Sequence, residues 1–269
     1  DMRCVTTIAI WMAMTCGTAA AIDNNDRSDR LPVPDMLVLS LHPSTLLPPS
    51  IEPDLRAKSV PQHATIPDKV IRGIDVSHYQ GFINWKEVAT DPQVAYCYIK
   101  ATEGSGYVDD CYETNVRQAR QNGIKVGAYH FFSPTASPVS QLDNMTSVVD
   151  KKDNDLIPII DVEKIARRAN VNAFLQRLRL FLKLVENHYG VRPLIYTGAN
   201  FYNKYLAGQF TEYKLMIAKY IEPEPVLKDK HAKMLMWQYT STGSVKGIRG
   251  NCDQSMFLKD YNINDILIK

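Results

Sequence analysis

Several features that mark particular protein classes are scarce or missing in this sequence. Five cysteines in 269 residues, with no Cys-x-x-Cys pair, are too few for a disulfide-built scaffold and give no sign of a zinc site. No Gly-x-Gly-x-x-Gly motif follows a predicted strand, so a dinucleotide site has no support. Basic and acidic residues number 31 and 29, a net charge of +2, which argues against a nucleic-acid binder. The 45% of hydrophobic residues nevertheless indicates a globular protein.

The beginning of the sequence predicts a targeting segment. Residues 1–22 contain one early basic residue, Arg3, then a mostly apolar stretch, and end in small residues that include Ala19 and Ala21. Because this is the layout of a signal peptide, we expect a secreted, periplasmic or cell-surface protein. Two alternatives remain open. One is a retained membrane anchor, and the other is a lipoprotein signal in which a lipid on Cys16 tethers the chain to a membrane.

Proline is concentrated in the next segment, residues 23–69. Eight of the 15 prolines lie between Leu31 and Pro67. Proline at this density disfavours helices and central strands and favours extended, semi-rigid chain. We therefore predict a linker that holds the following domain away from a membrane or wall. An arm packed on that domain is the alternative.

Residues 70–269 alternate short apolar runs with amphipathic stretches, which indicates one α/β domain of enzyme size. Strands are predicted at 71–76, 94–101, 124–132, 156–163, 192–197, 214–220, 234–240 and 252–258. Helices are predicted around 112–122, 138–150 and 171–189. Asn170 is the expected N-cap of the last helix, and Gly190 is expected at its C-terminal end. The pattern favours a single TIM-like barrel with a parallel sheet, built from five β/α units plus three further strands, over a doubly wound open sheet.

Four carboxylates fall at strand ends, where barrels of this kind carry their chemistry. Asp161 and Glu163 are two residues apart at the end of a predicted strand, so their side chains point to the same side. Asp75 ends the first predicted strand and Asp253 begins the last. Since these two strands are neighbours in a closed barrel, we expect Asp75 and Asp253 to meet. Two adjacent acids repel each other when ionised, so one holds its proton to higher pH, as acid-catalysed glycosidic cleavage requires.

Aromatic and polar side chains at the same rim are candidates for binding a sugar. Aromatic rings offer flat surfaces that match the apolar C–H faces of sugar rings. The candidate substrate-binding residues are Tyr79, Lys100, Tyr129, Tyr196, Trp237 and Gln238. We expect structural roles for His78 and His130, because no histidines cluster at metal-ligand spacing. The sequence therefore predicts neither a metal nor a cofactor.

Six segments, taken in order, resemble glycoside hydrolase family 25. They are GIDVSHYQGFINW (73–85), YIKATEG (98–104), GAYHFF (127–132), PIIDVE (158–163), PLIYTG (193–198) and WQYT (237–240). The resemblance implies a lysozyme that cleaves between N-acetylmuramic acid and N-acetylglucosamine in peptidoglycan, with a glycan strand as its partner and a monomeric state. It also implies that Glu163 is the general acid and that Asp161, Asp75 and Asp253 support it. Val162 departs from the family pattern, in which many members carry tryptophan.

The sequence leaves the mechanism and two other functions open. A carboxylate could attack the anomeric carbon, or the 2-acetamido oxygen of the substrate could attack while Asp161 or Asp253 steadies it. A chitinase-like endo-N-acetylglucosaminidase also ends a strand in Asp-x-Glu. Its longer Asp-x-x-Asp-x-Asp-x-Glu signature fails here at Leu156 and Ile159. The other alternative is a catalytically silent glycan-binding barrel, against which the four retained acids argue.

Three cysteines follow the predicted signal peptide, Cys97, Cys111 and Cys252. Cys97 and Cys111 could form a disulfide bond, although the sequence alone does not establish one.

Overall fold

The computed structural model describes residues 71–168, 170–258 and 260–269. The signal peptide predicted over 1–22 and the linker predicted over 23–69 lie outside these residues. In the part of the chain that is described, no helix is long and apolar enough to cross a membrane.

The described residues form a barrel of strands with helices on its outside. The strands are β1 (Arg72–Val76), β2 (Val94–Glu103), β3 (Tyr107–Val108), β4 (Lys125–Phe131), β5 (Ile159–Asp161), β6 (Leu194–Gly198), β7 (Lys214–Ala218), β8 (Lys233–Gly243) and β9 (Cys252–Phe257). The helices are α1 (Trp85–Val88), α2 (Tyr112–Gln121), α3 (Pro138–Thr146), α4 (Val171–Tyr189) and α5 (Ala199–Phe201), which runs on into a π-helical turn at Tyr202–Leu206.

The sheet closes on itself, which confirms the predicted TIM-like α/β barrel. The strand order is β1-β9-β8-β7-β6-β5-β4-β2, and β1 also pairs with β2. The two-residue strand β3 forms a hairpin with the end of β2 outside the ring.

One strand runs against the direction expected for a parallel sheet. β9 is antiparallel to both of its neighbours, β8 and β1. Only residues 244–251 join β8 to β9, and a parallel crossover needs a dozen or more residues. The reversal brings the first residues of β9 to the same end of the barrel as the last residues of β1.

The helix at 171–189 has the predicted bounds, and its ends are capped as expected. Asn170 Oδ1 accepts hydrogen bonds from the backbone N–H groups of Asn172 and Ala173, and Gly190 adopts a left-handed conformation with φ 71°. The predicted helix at 138–150 is shorter and ends at Thr146.

The strand predicted at 156–163 is also shorter and covers only Ile159–Asp161. Pro158 has no N–H to donate to a ladder, and Leu156 instead forms an isolated bridge with Leu267. Glu163 therefore lies just beyond the strand that ends in Asp161.

Alternate strand residues fill two separate layers of the core. Tyr96 and Tyr98 of β2 point into the barrel, whereas Cys97 packs in the layer between strands and helices. Cys97 is a free thiol, so the open alternative of a Cys97–Cys111 disulfide is wrong. The interior is tightly filled: a Cβ on Gly73 would lie 1.9 Å from the Tyr96 ring. Because side chains occupy the interior, the chemistry is confined to the barrel mouth.

Candidate active site

A pocket lies at the end of the barrel where the parallel strands terminate, and all four predicted acids line it. Its lining residues are Asp75, Tyr129, Ile159, Asp161, Glu163, Tyr196, Tyr220, Gln238 and Asp253. Among the substrate-binding candidates, Tyr129, Tyr196 and Gln238 are therefore brought together with the carboxylates. The predicted meeting of Asp75 and Asp253 is confirmed, since they are register partners between β1 and β9.

The Asp75–Asp253 pair holds protons to unusually high pH. Burial, followed by the charge of Asp253, raises the pKa of Asp75 to about 8, although a hydrogen bond from Gln238 opposes the shift. Burial and the charge of Glu163 raise the pKa of Asp253 to about 6. Between these values Asp253 is mainly ionised while Asp75 keeps its proton, so the two members occupy different charge states near neutral pH.

Asp161 and Glu163 differ in exposure. Asp161 is buried, and among the described residues its Oδ1 has no hydrogen-bond partner. Burial and the charge of Glu163 raise the pKa of Asp161 well above its usual range. Glu163 lies at the solvent-exposed mouth, and partial desolvation raises its pKa, with Lys164 opposing. The expected rise for Glu163 is present, but desolvation rather than the charge of Asp161 is its main cause.

Gln238 is the centre of a hydrogen-bond network in the pocket wall. Its Nε2 donates to Asp75 Oδ2 at 3.0 Å. Its Oε1 accepts from the hydroxyl of Tyr196 at 2.8 Å and from the hydroxyl of Tyr220 at 2.9 Å. The amide of Gln238 on β8 thus links Asp75 on β1, Tyr196 on β6 and Tyr220, which follows β7.

Tyr220 is a pocket residue that the sequence reasoning missed. It ends the predicted strand at 214–220, so an aromatic residue at a strand end was the available signal. Val162, the departure from the family pattern, is fully buried in the layer between the strands and the helices. Its side chain therefore points away from the pocket, as its alternation with Asp161 and Glu163 requires.

Three substrate-binding candidates lie outside the pocket lining. Trp237 is buried, and its Nε1 donates to the backbone carbonyl of Lys219 at 2.7 Å. Lys100 is also buried and pairs with Glu103 at 2.7 Å. Tyr79 is 82% exposed on the loop that follows β1.

The two histidines have structural partners. His130 is fully buried, with Nδ1 2.8 Å from Thr102 Oγ1 and Nε2 3.3 Å from Gln141 Oε1. Burial lowers the pKa of His130 to about 4, so its ring is neutral near pH 7. His78 Nδ1 lies 2.7 Å from the carboxylate of Asp109. Over the described ranges, no group of three or more His, Cys, Asp or Glu side chains is placed to hold a metal ion.

Comparison with known proteins agrees with this geometry. Residues 74–248 match the family described as glycosyl hydrolases family 25. The chain is 36% identical over 191 residues to YegX of Escherichia coli K12, described as uncharacterized, which covers 70% of this chain and 69% of that protein. It is 32% identical over 199 residues to lysozyme M1 of Streptomyces globisporus, which covers 70% and 67%.

Solved structures are similar as well. The family 25 glycosyl hydrolase of Bacillus anthracis superposes with a TM-score of 0.67 at 30% identity, over 76% of this chain and 95% of that one. A bacterial lysozyme of Streptomyces coelicolor superposes with a TM-score of 0.64 at 28% identity, over 71% and 93%.

Proposed function

Since this chain belongs to glycosyl hydrolase family 25 and is a glycoside hydrolase, we propose that it is a lysozyme acting on peptidoglycan. The proposed reaction is hydrolysis of the β-1,4 bond between N-acetylmuramic acid and N-acetylglucosamine. The lysozyme names of its relatives support this substrate. The observation that carries the proposal is the convergence of Asp75, Asp161, Glu163 and Asp253 on one pocket.

Glu163 is the general acid in this proposal. Its position at the exposed mouth lets it reach a glycosidic oxygen, and its raised pKa favours the protonated form that must donate. The carboxyl group loses its proton to the leaving sugar oxygen as the glycosidic bond breaks. It then accepts a proton from the water that completes hydrolysis.

Asp161 binds the 2-acetamido group of the reacting sugar in this proposal. Within the described part of the chain its buried Oδ1 has no hydrogen-bond partner, and an unmet buried acceptor is costly. The N–H of a 2-acetamido group would satisfy it and would hold the acetamido oxygen for attack on the anomeric carbon. This favours the substrate-assisted route, with Asp253 as a further orienting carboxylate, over direct attack by a carboxylate.

The tyrosines of the pocket and rim supply sugar-binding surface. Tyr129 and Tyr196 line the pocket itself. Tyr79 packs against His78 at an interplanar angle of 37°, with ring centroids 4.1 Å apart, and its exposed ring lies outside the pocket. We assign Tyr79 to a glycan strand that continues beyond the reacting sugars, because stacking on a ring face suits a polymer of pyranoses.

The test is digestion of purified peptidoglycan, followed by reduction of the new reducing ends and mass spectrometry. A lysozyme gives reduced muramic acid ends. Reduced glucosamine ends would instead identify an endo-N-acetylglucosaminidase and refute the proposed bond. Binding to walls without any new ends would identify a catalytically silent glycan-binding barrel. A Glu163→Gln preparation of equal purity controls for contaminating hydrolases.

Export is part of the proposal, because peptidoglycan lies outside the cytoplasm. The signal-like composition of residues 1–22 and the proline-rich segment 23–69 support secretion or attachment at the cell surface. Cell fractionation tests it, and incorporation of labelled fatty acid that is lost in Cys16→Ser distinguishes lipid attachment from free secretion. Recovery of the protein only in the cytoplasm would refute export.

A further inference from the structure

The side-chain amide of Gln238 turns its oxygen to two tyrosines and its nitrogen to Asp75. A carbonyl oxygen offers two lone pairs, and two tyrosine hydroxyls, of Tyr196 and Tyr220, donate to Gln238 Oε1. The amide nitrogen is thereby directed at Asp75, to which it donates at 3.0 Å. Gln238 itself is only 2% exposed, so water does not compete freely for these bonds.

We propose that Gln238 is a positioning residue that Tyr196 and Tyr220 hold in place so that it fixes the carboxyl group of Asp75 in the active site. The inference rests on the proposed function, and it gives Gln238 a role within the protein rather than the substrate contact expected from the sequence. Gln238 binds Oδ2 of Asp75, and in the described residues Oδ1 has no hydrogen bond of its own. This arrangement of Tyr196, Tyr220 and Gln238, here called the clamp, therefore determines which oxygen of Asp75 remains available at the pocket.

The network also bears on how the carboxyl group of Asp75 is held beside that of Asp253. Asp75 is the register partner of Asp253, and near neutral pH the protonated Asp75 lies beside the ionised Asp253. Because Tyr196 and Tyr220 hold the amide of Gln238, its N–H group restrains rotation of the Asp75 carboxyl group. Hydrogen bonds that Oε1 accepts also polarise the amide and strengthen its N–H as a donor.

Several titratable groups lie close enough to Asp75 to interact with its charge and must be considered in any titration. They are Asp253 and Cys252 on β9, Tyr96, Cys97 and Tyr98 on β2, Tyr129 on β4, Asp161 on β5 and Tyr220 after β7. Among them, Asp253 acts on Asp75 most directly, and its negative charge raises the pKa of Asp75. The bond from Gln238 acts in the opposite direction, because it stabilises the ionised form.

Removing the clamp therefore has a defined sign. In Gln238→Leu the donor is lost, so the titration of Asp75 moves to higher pH by about 1 unit. Whichever limb of the pH–rate profile Asp75 governs moves in the same direction. We expect kcat to fall by about 10-fold or more because the carboxyl group is misplaced, with a smaller change in KM.

A matched control comes from the neighbouring strand. Gln254 is also buried, and its Oε1 accepts from the hydroxyl of Tyr239 at 2.7 Å, but it makes no bond to Asp75. Gln254→Leu therefore removes a buried glutamine amide without removing a hydrogen bond to Asp75, so the titration of Asp75 should not move. Gln238→Asn serves as a milder second variant, since it keeps an amide but shortens it by one methylene.

The experiment follows the carboxyl carbon of Asp75 by ¹³C NMR across pH in the wild-type chain and in the three variants, alongside pH–rate profiles. An upward shift in Gln238→Leu and Gln238→Asn, absent in Gln254→Leu, supports the clamp. An unchanged Asp75 titration in either folded Gln238 variant overturns it, and so does an equal shift in the control. The NMR result does not depend on catalysis, so a wild-type protein that fails to release muramic acid ends refutes the proposed function separately.

Discussion

Asp75 lies opposite Asp253 in the antiparallel ladder that closes the barrel between β1 and β9. The sequence separates these residues by most of the length of the domain, and closure of the sheet through the antiparallel strand β9 brings them together. Their pKa values of about 8 and about 6 leave one proton on the pair in the neutral range. The pair therefore acts as a coupled acid rather than as two independent aspartates.

The first prediction concerns this coupling. Asp253→Asn removes the negative charge that raises the pKa of Asp75, so the limb of the pH–rate profile governed by Asp75 moves to lower pH. We expect Asp75→Asn and Asp253→Asn each to reduce kcat/KM, with less than additive losses in the double variant, as is usual for residues in contact. Asp143→Asn, at an exposed position of α3, is the control. Unshifted profiles together with strictly additive losses would remove both aspartates from the catalytic assignment.

The second prediction tests whether Glu163 is the general acid. Glu163→Gln keeps the shape of the side chain but cannot deliver a proton, and a general acid contributes about 10²–10⁴-fold to the rate. We expect at least a 100-fold loss of wall cleavage. The melting temperature and wall binding should stay unchanged, because Glu163 lies at the exposed mouth. If the variant kept more than about a tenth of the wild-type rate, Glu163 would not be the general acid.

The third prediction concerns the buried imidazole of His130. Its pKa falls from the ordinary 6.5 to about 4 on folding. Between these pH values the imidazole is protonated in the unfolded chain but neutral in the folded chain. The stability due to this group is complete above about pH 6.5 and is lost as pH falls toward 4, by up to about 3 kcal/mol. His130→Gln keeps hydrogen bonding without titrating, so its free energy of unfolding should change less over that range.

Denaturant unfolding at pH 7, 5.5 and 4.5 measures this difference. The control is His188→Gln, since His188 is exposed on α4. Parallel pH dependence in His130→Gln and the wild-type chain would contradict the assignment of a buried neutral ring.

The sequence predicted the features that depend on local pattern or on closure. The long helix between Asn170 and Gly190 could be placed because its apolar period and both end residues are local signals. The meeting of Asp75 and Asp253 was predicted from closure, but it also requires β9 to run antiparallel to β1, which the sequence did not show. The direction of β9 depends on the short connection 244–251 between β8 and β9. The apolar runs mark the strands but do not give their direction.

Rim side chains were harder to assign, because their partners come from distant segments. Lys100 was predicted near the end of a strand, but β2 continues to Glu103, and Lys100 pairs with Glu103 and lies 5.2 Å from the centre of the Tyr107 ring. Gln238 was identified as part of a motif, yet its bonds to Asp75, Tyr196 and Tyr220 depend on the packing of several strands. Sequence spacing places a side chain on one face of a strand, but it does not show with which of several polar neighbours the side chain forms a hydrogen bond or ion pair.

The fourth prediction tests the packing inside the barrel. Gly73→Ala would place a methyl group 1.9 Å from the Tyr96 ring, which is fully buried and cannot move into solvent. Overpacking of this kind costs about 1–3 kcal/mol or more. Gly106→Ala is the matched control, because a Cβ there meets nothing within 4 Å. Equal free energies of unfolding for the two variants would mean that the interior can rearrange around the added methyl group.

The fifth prediction concerns the exposed ring outside the pocket. Tyr79 packs against His78, which is fixed by Asp109 at 2.7 Å and by the hydroxyl of Tyr107 at 3.0 Å. An aromatic contact contributes about 0.5–1.5 kcal/mol. Tyr79→Ala should therefore raise KM for polymeric peptidoglycan about 2–10-fold, with kcat on a short glycan fragment unchanged.

Phe82→Ala is the comparison that makes this result specific. Phe82 lies on the same loop and is 74% exposed, but within the described residues no ring contact holds it. If binding of the glycan depends on the Tyr79 ring that packs against His78, Phe82→Ala leaves KM for the polymer close to that of the wild-type chain. An equal rise in both variants would point to general loss of apolar surface, and no rise in Tyr79→Ala would confine substrate binding to the pocket.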